Sequence, residues 1–226
     1  MRINDNDTAV VIIDPQNDAL SPHGANWDAV GASVTENNTV QHLLDLFAAA
    51  KASDFGVFIS PHYFYPTDST WLFNGPLESH EFDNHSFART GPLTLNGFTG
   101  SGADWLDEFK PYIEDGKTVV ASPHKVWGPE SNDLILQLRK RAISKVILGG
   151  MLANMCVESH LRELLENGFE VAVVRDATAG PRHAVHGDGY QAALINYGFL
   201  AHAVVDTSDV VEAMSARGET RDLATK

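Results

Sequence analysis

The sequence predicts an α/β fold: a three-layer, doubly wound, mostly parallel six-stranded sheet in the order 3-2-1-4-5-6, with helices on both faces. Apolar, β-branched runs of strand length recur along the 226 residues. Segments with helical spacing of apolar residues separate them. No Pro/Gly/Ser-rich linker and no internal repeat divides the chain, so residues 1–226 read as one domain.

Residues 9–13, 57–59, 118–121, 145–148, 170–174 and 201–205 are the six strands. Their near-continuous apolar character suits strands covered on both faces. Residues 36–52 set Val40, Leu43, Leu44 and Phe47 on one helical face behind a Ser33-to-Glu36 capping box. Leu134, Ile135 and Leu138 do the same over 131–142. Val157, Leu161, Leu164 and Leu165 stripe a helix over 156–167, which Gly168 ends. Residues 182–197 read as a further helix and 209–215 as a short last one. Residues 62–100, rich in aromatics, Gly, Pro and His, break the rhythm and are expected to form an ordered flap over the active face. The polar tail, 216–226, is expected to fray.

Composition narrows the function. Hydrophobic content of 43% with 20% charged residues fits a folded domain with a sizeable core. A formal charge of −14 disfavours nucleic acid and anionic membrane, both polyanions, while leaving room for an anionic small molecule in a locally basic pocket. No stretch is apolar and long enough to span a bilayer, and the first 16 residues lack the apolar run of a secretory signal. The single cysteine makes no internal disulfide, so a reducing cytoplasm is the expected compartment.

In open α/β sheets ligands bind outside the carboxyl ends of the strands, at the point where strand order reverses. Asp14 ends the first strand in VVIIDPQND, Lys125 lies beyond the third in VVASPHKVWG, and Cys156 follows the fourth. In the order 3-2-1-4-5-6, strands one and four are neighbours at the reversal, so Asp14 and Cys156 face each other. Lys125 reaches across from strand three. A helix N-terminus favours a thiolate, the nucleophilic form of cysteine. Each residue alone has a plainer reading: a small buried hydrophobe, a turn-forming Asp before Pro, a solvated lysine. The conjunction of three such groups at strand ends outweighs them.

These motifs resemble the isochorismatase-like cysteine hydrolases, which include nicotinamidases, N-carbamoylsarcosine amidases, biuret hydrolases and ureidoacrylate amidohydrolases. Asp14-Pro15-Gln16-Asn17-Asp18 resembles the opening motif, His124-Lys125 the lysine motif, and Gly150, Asn154, Cys156, Val157, Glu158 and Ser159 the nucleophile motif. The DATAG run at 176–180 and residues 207–210 are similar as well. The resemblance implies a C–N hydrolase of a small amide, ureide or carbamoyl compound acting through a thioester, with Asp14, Lys125 and Cys156 catalytic. Asp14 takes the thiol proton, protonates the departing amine and then activates water. The N–H groups of Leu152 and Cys156 form the oxyanion hole, with a cis bond between Met151 and Leu152. Gln16, His62, Arg89, Trp127 and Met151 are the candidate substrate-binding residues. His62 with Arg89 would hold a carboxylate, and Trp127 would line the pocket; a solvated arginine and a core tryptophan remain the alternatives. The family also implies a homo-oligomer, and the flap aromatics Tyr63, Phe64, Tyr65, Trp71 and Phe73 suit either a subunit contact or a pocket wall.

Two departures leave the substrate open: Leu152-Ala153 in the nucleophile motif, and Val126-Trp127-Gly128-Pro129 after the lysine. Nicotinamidases hold a metal through an Asp-x-His pair, but here the matching run is Ser60-Pro61-His62. His62, Asp68, His80 and His85 show no recognised ligand spacing, so no metal or cofactor is expected. Two other functions compete. Isochorismatase-type vinyl-ether hydrolysis is characteristic of relatives lacking the cysteine. A non-catalytic α/β binding module is the other, but neither G-x-G-x-x-G nor G-x-x-x-x-G-K-[ST] is present to support nucleotide binding.

Overall fold

A computed structural model describes residues 1–216 and 221–225. Six strands form one sheet: β1 (Thr8–Ile13), β2 (Gly56–Ser60), β3 (Val119–Val120), β4 (Lys145–Met151), β5 (Glu170–Ala179) and β6 (Ala203–Val205). Their spatial order is 3-2-1-4-5-6 and every pairing is parallel, as the sequence predicts. The helices are α1 (Asn17–Leu20), α2 (Trp27–Glu36), α3 (Thr39–Ala52), α4 (Pro76–Asp83), α5 (Lys110–Ile113), α6 (Leu134–Lys140), α7 (Glu158–Glu166), α8 (Gly189–Leu200) and α9 (Thr207–Ser215).

Strand alternation divides the interior into two cores. Val10 and Ile12 of β1 pack with Leu43, Leu46 and Phe47 of α3 and Val210 of α9. Ala9, Val11 and Ile13 pack with Leu134, Leu138, Leu161, Leu164 and Tyr197 from α6, α7 and α8. All six residues of β1 are buried, which is why its sequence is apolar without alternation. Full burial stabilises each such leucine or valine by about 1.5–3 kcal/mol. Phe47 lies 5.3 Å from Phe109 and 5.6 Å from Tyr112, between ring centroids, so α3 also anchors the chain that leads into β3.

Several local expectations are corrected. Ser33 and Glu36 do not cap a helix; both lie within α2, and the new helix starts at Thr39 after Asn38 takes a left-handed φ of 50°. Ser33 Oγ instead accepts from Gly180 N at 3.2 Å, and Glu36 pairs with Arg182. Residues 182–188 are not helical. Arg182–His183 pairs with Gly187–Asp188 as a tight ribbon, and Asp188 then caps α8 by accepting from Gln191 N at 3.1 Å. Of the tail expected to fray, residues 217–220 and 226 lie outside the described residues. Arg221–Asp222 pairs antiparallel with Arg2–Ile3, and Leu223 is buried at 3% exposure, because its side chain completes the core beside Ile3.

Within residues 62–100, Phe87 is held by Asp18. Its carboxylate accepts from Phe87 N at 2.6 Å and from Ala25 N at 2.9 Å. Among the described residues no helix is long and apolar enough to cross a membrane.

Candidate active site

The carboxyl ends of β1 and β4 lie side by side, with Ile13 in register with Gly150. Gly150 has φ +113°, and a Cβ there would sit 2.1 Å from Ile13 O, so only glycine lets these strand ends approach. Asp14 leaves β1 with φ 48°, a conformation that few non-glycine residues adopt and that turns its side chain inward. The peptide bond between Met151 and Leu152 is cis. A single π-helical turn over Ala153–Val157 follows and leads into α7. Cys156 therefore sits in the turn before α7, one step earlier than the first-turn position expected of it. His160 Nδ1–H donates to Cys156 O at 2.7 Å, and Tyr197 Oη donates to Ala153 O at 2.5 Å, fixing that turn. The His160 ring, thus required to accept at Nε2, takes a hydrogen bond from Ser60 Oγ at 2.8 Å.

The third group comes from beyond β3, and it is His124. Its N–H donates to Pro61 O at 2.9 Å, and it bridges His62 in parallel fashion, continuing the sheet. His124 Nε2 lies 2.9 Å from Asp14 Oδ1. The carboxylate oxygen, imidazole nitrogen and Sγ of Asp14, His124 and Cys156 all lie within 4.8 Å of one another, and all three residues are buried. Lys125, expected in this position, points elsewhere: Nζ is 2.5 Å from Asp68 Oδ2, 3.1 Å from Tyr63 O and 3.8 Å from the Tyr65 ring centroid. Adjacent residues on an extended segment face opposite sides, so one of the pair His124-Lys125 faces the thiol and the other cannot.

The predicted substrate-binding residues separate. Gln16 is fully buried and spent on backbone: Oε1 accepts from His62 N at 2.8 Å, and Nε2 donates to His62 O and Ala103 O at 2.8 and 2.9 Å. Met151 is fully buried in the first core. Arg89 stacks its guanidinium on Tyr63 and Phe98 and donates to Thr94 O at 2.9 Å. It is not paired with His62. The His62 ring is enclosed by the edges of Phe64 and Phe87, and it faces His124 and Glu81. Trp127 is half-buried against the core that contains Cys156.

Electrostatics revises the thiolate expectation. Burial pushes the Cys156 thiol well above its usual range, and the charges of Asp14 and Glu81 and a hydrogen bond to Asp14 push the same way. A hydrogen bond from the Leu152 backbone opposes this and loses. The resting group is therefore a thiol held against Asp14. Burial first, and then the neighbouring His124 and Lys125, hold His62 neutral, and His160 is likewise held neutral by burial and His124. Glu81, on α4, is pushed up to about 8 by burial first and then by Asp14, Glu78 and Asp18.

Among the described residues, Asp14, His124 and Cys156 form the cluster whose donor types a metal could use. His124 Nε2–H donates to Asp14 at 2.9 Å, and Cys156 Sγ lies 3.8 Å from Val126 O. Sequence reasoning missed His124 and Glu81. The SPHKVWG run at 122–128 offers two basic residues, and the structure brings His124 beside Asp14 and Cys156 while Lys125 pairs with Asp68. Glu81, an acid on a short polar helix, carried no signal.

A doubly wound parallel sheet with a carboxylate, an imidazole and a thiol gathered at its carboxyl rim defines an α/β protein with a buried cysteine centre. The chain belongs to the isochorismatase family: the Isochorismatase domain matches residues 8–209. Ureidoacrylate amidohydrolase RutB of Pseudomonas savastanoi pv. phaseolicola is 29% identical over 203 residues, covering 87% of this chain and 79% of that protein. RutB of Pseudomonas syringae pv. syringae is 27% identical over 226 residues, covering 97% and 88%. A solved cysteine hydrolase from Pseudomonas syringae pv. phaseolicola shares the fold with a TM-score of 0.76 at 21% identity, covering 95% of each chain. N-carbamoylsarcosine amidase from Thermoplasma acidophilum does so with a TM-score of 0.63 at 17% identity, covering 89% of this chain and 96% of that one.

Proposed function

We propose that this protein hydrolyses a C–N bond of a small amide, ureide or carbamoyl compound, with Cys156 as nucleophile and a thioester as intermediate. The observation that carries the reading is the convergence of Asp14, His124 and Cys156 within 4.8 Å. The names of the relatives, ureidoacrylate amidohydrolase and N-carbamoylsarcosine amidase, support the substrate class.

Asp14 accepts the Sγ proton as sulfur attacks the carbonyl carbon, and His124 keeps the carboxylate oriented through its Nε2–H. The N–H groups of Leu152 and Cys156 hold the oxyanion; one such donor is worth about 2.7–4 kcal/mol of barrier. Asp14 then gives its proton to the leaving nitrogen as the C–N bond breaks. It next takes a proton from water, which attacks the thioester, and returns that proton to the departing thiolate. The thiol's raised proton affinity suits this scheme, since the proton moves only when the acyl group is present to receive the sulfur.

The lone cysteine suits a reducing cytoplasm. Leu72, Phe73, Leu93 and Leu95, 69–99% exposed in and near the flap, fit the subunit contact of a homo-oligomer.

The test is ammonia release from a panel of ureides, amides and carbamoyl acids that includes ureidoacrylate, with wild type and Cys156→Ala compared. Release by wild type only supports the reading, and a chelator should leave it unchanged. Equal release by both proteins, or vinyl-ether cleavage by Cys156→Ala, would overturn it.

A further inference from the structure

Four buried side chains form a row from the flap to the thiol. Glu81 Oε2 lies 3.8 Å from His62 Nε2, His62 Nδ1 lies 3.4 Å from His124 Nδ1, and His124 Nε2 lies 2.9 Å from Asp14 Oδ1. The donor–acceptor count fixes the resting tautomers. Asp14, as a carboxylate, only accepts, so His124 carries its proton on Nε2 and accepts at Nδ1. His62 must then donate from Nδ1, which leaves a lone pair on Nε2. That atom is buried without a hydrogen-bond partner, and the Glu81 carboxyl is what faces it.

Resting on the cysteine reading above, we propose that Glu81 charges His124 through His62. The Glu81 proton passes to His62 Nε2 while His62 gives its Nδ1 proton to His124 Nδ1. The products are a Glu81 carboxylate, a His62 with its proton on Nε2, and a His124 imidazolium beside Asp14 and Cys156. Charge balances, because one negative and one positive group arise from two neutral ones. The imidazolium supplies the cation that Lys125, held on Asp68, does not. Glu81 and His62 are positioning residues in this scheme, since neither touches the reacting atoms. The gap of 3.8 Å closes to a hydrogen bond with a movement of under about 1 Å.

The surroundings set the resting state from which the transfer starts. Burial first, and then the acids Asp14, Glu78 and Asp18, hold a proton on Glu81 at neutral pH. His62, kept neutral at rest chiefly by burial, faces the His124 ring and the ammonium of Lys125. His124 faces Asp14, His160 and the thiol of Cys156. On its outer side Glu81 lines a cavity of about 310 Å³ together with His85 and Arg89, a route by which water can restore its proton.

The test is the rate of Cys156 alkylation by iodoacetamide between about pH 6 and 8 in the full-length wild type, Glu81→Gln, His62→Phe and the double variant. If Glu81 acted only through its negative field, Glu81→Gln would label faster. The relay predicts labelling slower by on the order of ten-fold in each single variant, with no further loss in the double. Faster or unchanged labelling in Glu81→Gln, or losses that multiply, would overturn it. Should the variants not fold, imidazole ¹⁵N spectra of the wild type decide. Below about pH 8 they should show His62 protonated on Nδ1 and His124 on Nε2; His62 protonated on Nε2 would overturn the relay. Ammonia release unaffected by Cys156→Ala would instead remove the cysteine reading itself, so the two failures are distinct.

Discussion

His124 Nε2 donates to Asp14 Oδ1 at 2.9 Å, while the adjacent residue, Lys125, carries its ammonium to Asp68 on the other side of the same segment. His124→Ala should therefore lower kcat by about 100-fold or more. Lys125→Met should leave kcat within about ten-fold. Steady-state ammonia release from both variants checks this, and the reverse ranking would restore the lysine to the centre.

Asp14 holds the thiol proton on sulfur by its charge and its hydrogen bond. Asp14→Asn removes the charge. Iodoacetamide should then label Cys156 faster at neutral pH than in wild type, although turnover is lost. Labelling rates alongside ammonia release measure the two in one preparation.

Glu81 couples stability to pH. Its carboxyl titrates near 8 in the fold against 4.5 for the ordinary group, so the folded state binds the proton more tightly. Its stabilising contribution is complete below about pH 4.5 and is lost as the pH rises to about 8, by at most roughly 1.4 kcal/mol per pH unit. Glu81→Gln should therefore be more stable than wild type near pH 8, by on the order of a few kcal/mol, and similar to it near pH 4. Urea unfolding at the two pH values reads this out.

Gly150 sets the distance between the strand ends that carry Asp14 and Cys156. An alanine Cβ would collide with Ile13 O and would also require φ +113°. Gly150→Ala should cost about 3 kcal/mol or more. Gly187→Ala, at φ +94° but with no atom within 4 Å, should cost about 1 kcal/mol. Urea midpoints of the two variants test the contrast.

Much of this was legible in sequence because it rests on local pattern. The all-apolar run of β1 marked a strand buried on both faces, and the positions of Asp14 and Cys156 at successive active-face ends followed from strand order alone. What was not legible depends on a one-residue phase or on long-range packing. Whether His124 or Lys125 faces the thiol is decided by the pleat beyond a two-residue strand, and a slip of one residue reverses it. Gln16 looks like a ligand-binding amide until its three backbone partners appear. Glu81 meets His62 through long-range packing: Asp18 accepts from Phe87 N, and the Phe87 ring flanks His62. α2 went unread because Ser33 and Glu36, which lie inside it, match the pattern of a cap for the helix that follows.

Intact-mass measurement on acid-quenched wild type during turnover of whichever panel compound releases ammonia bears most directly on the chemistry. A mass increase equal to the acyl fragment, mapped by peptide analysis to Cys156 and lacking in Cys156→Ala, is the predicted result. Turnover at full rate by the alanine variant, or an adduct on any other side chain, would contradict it.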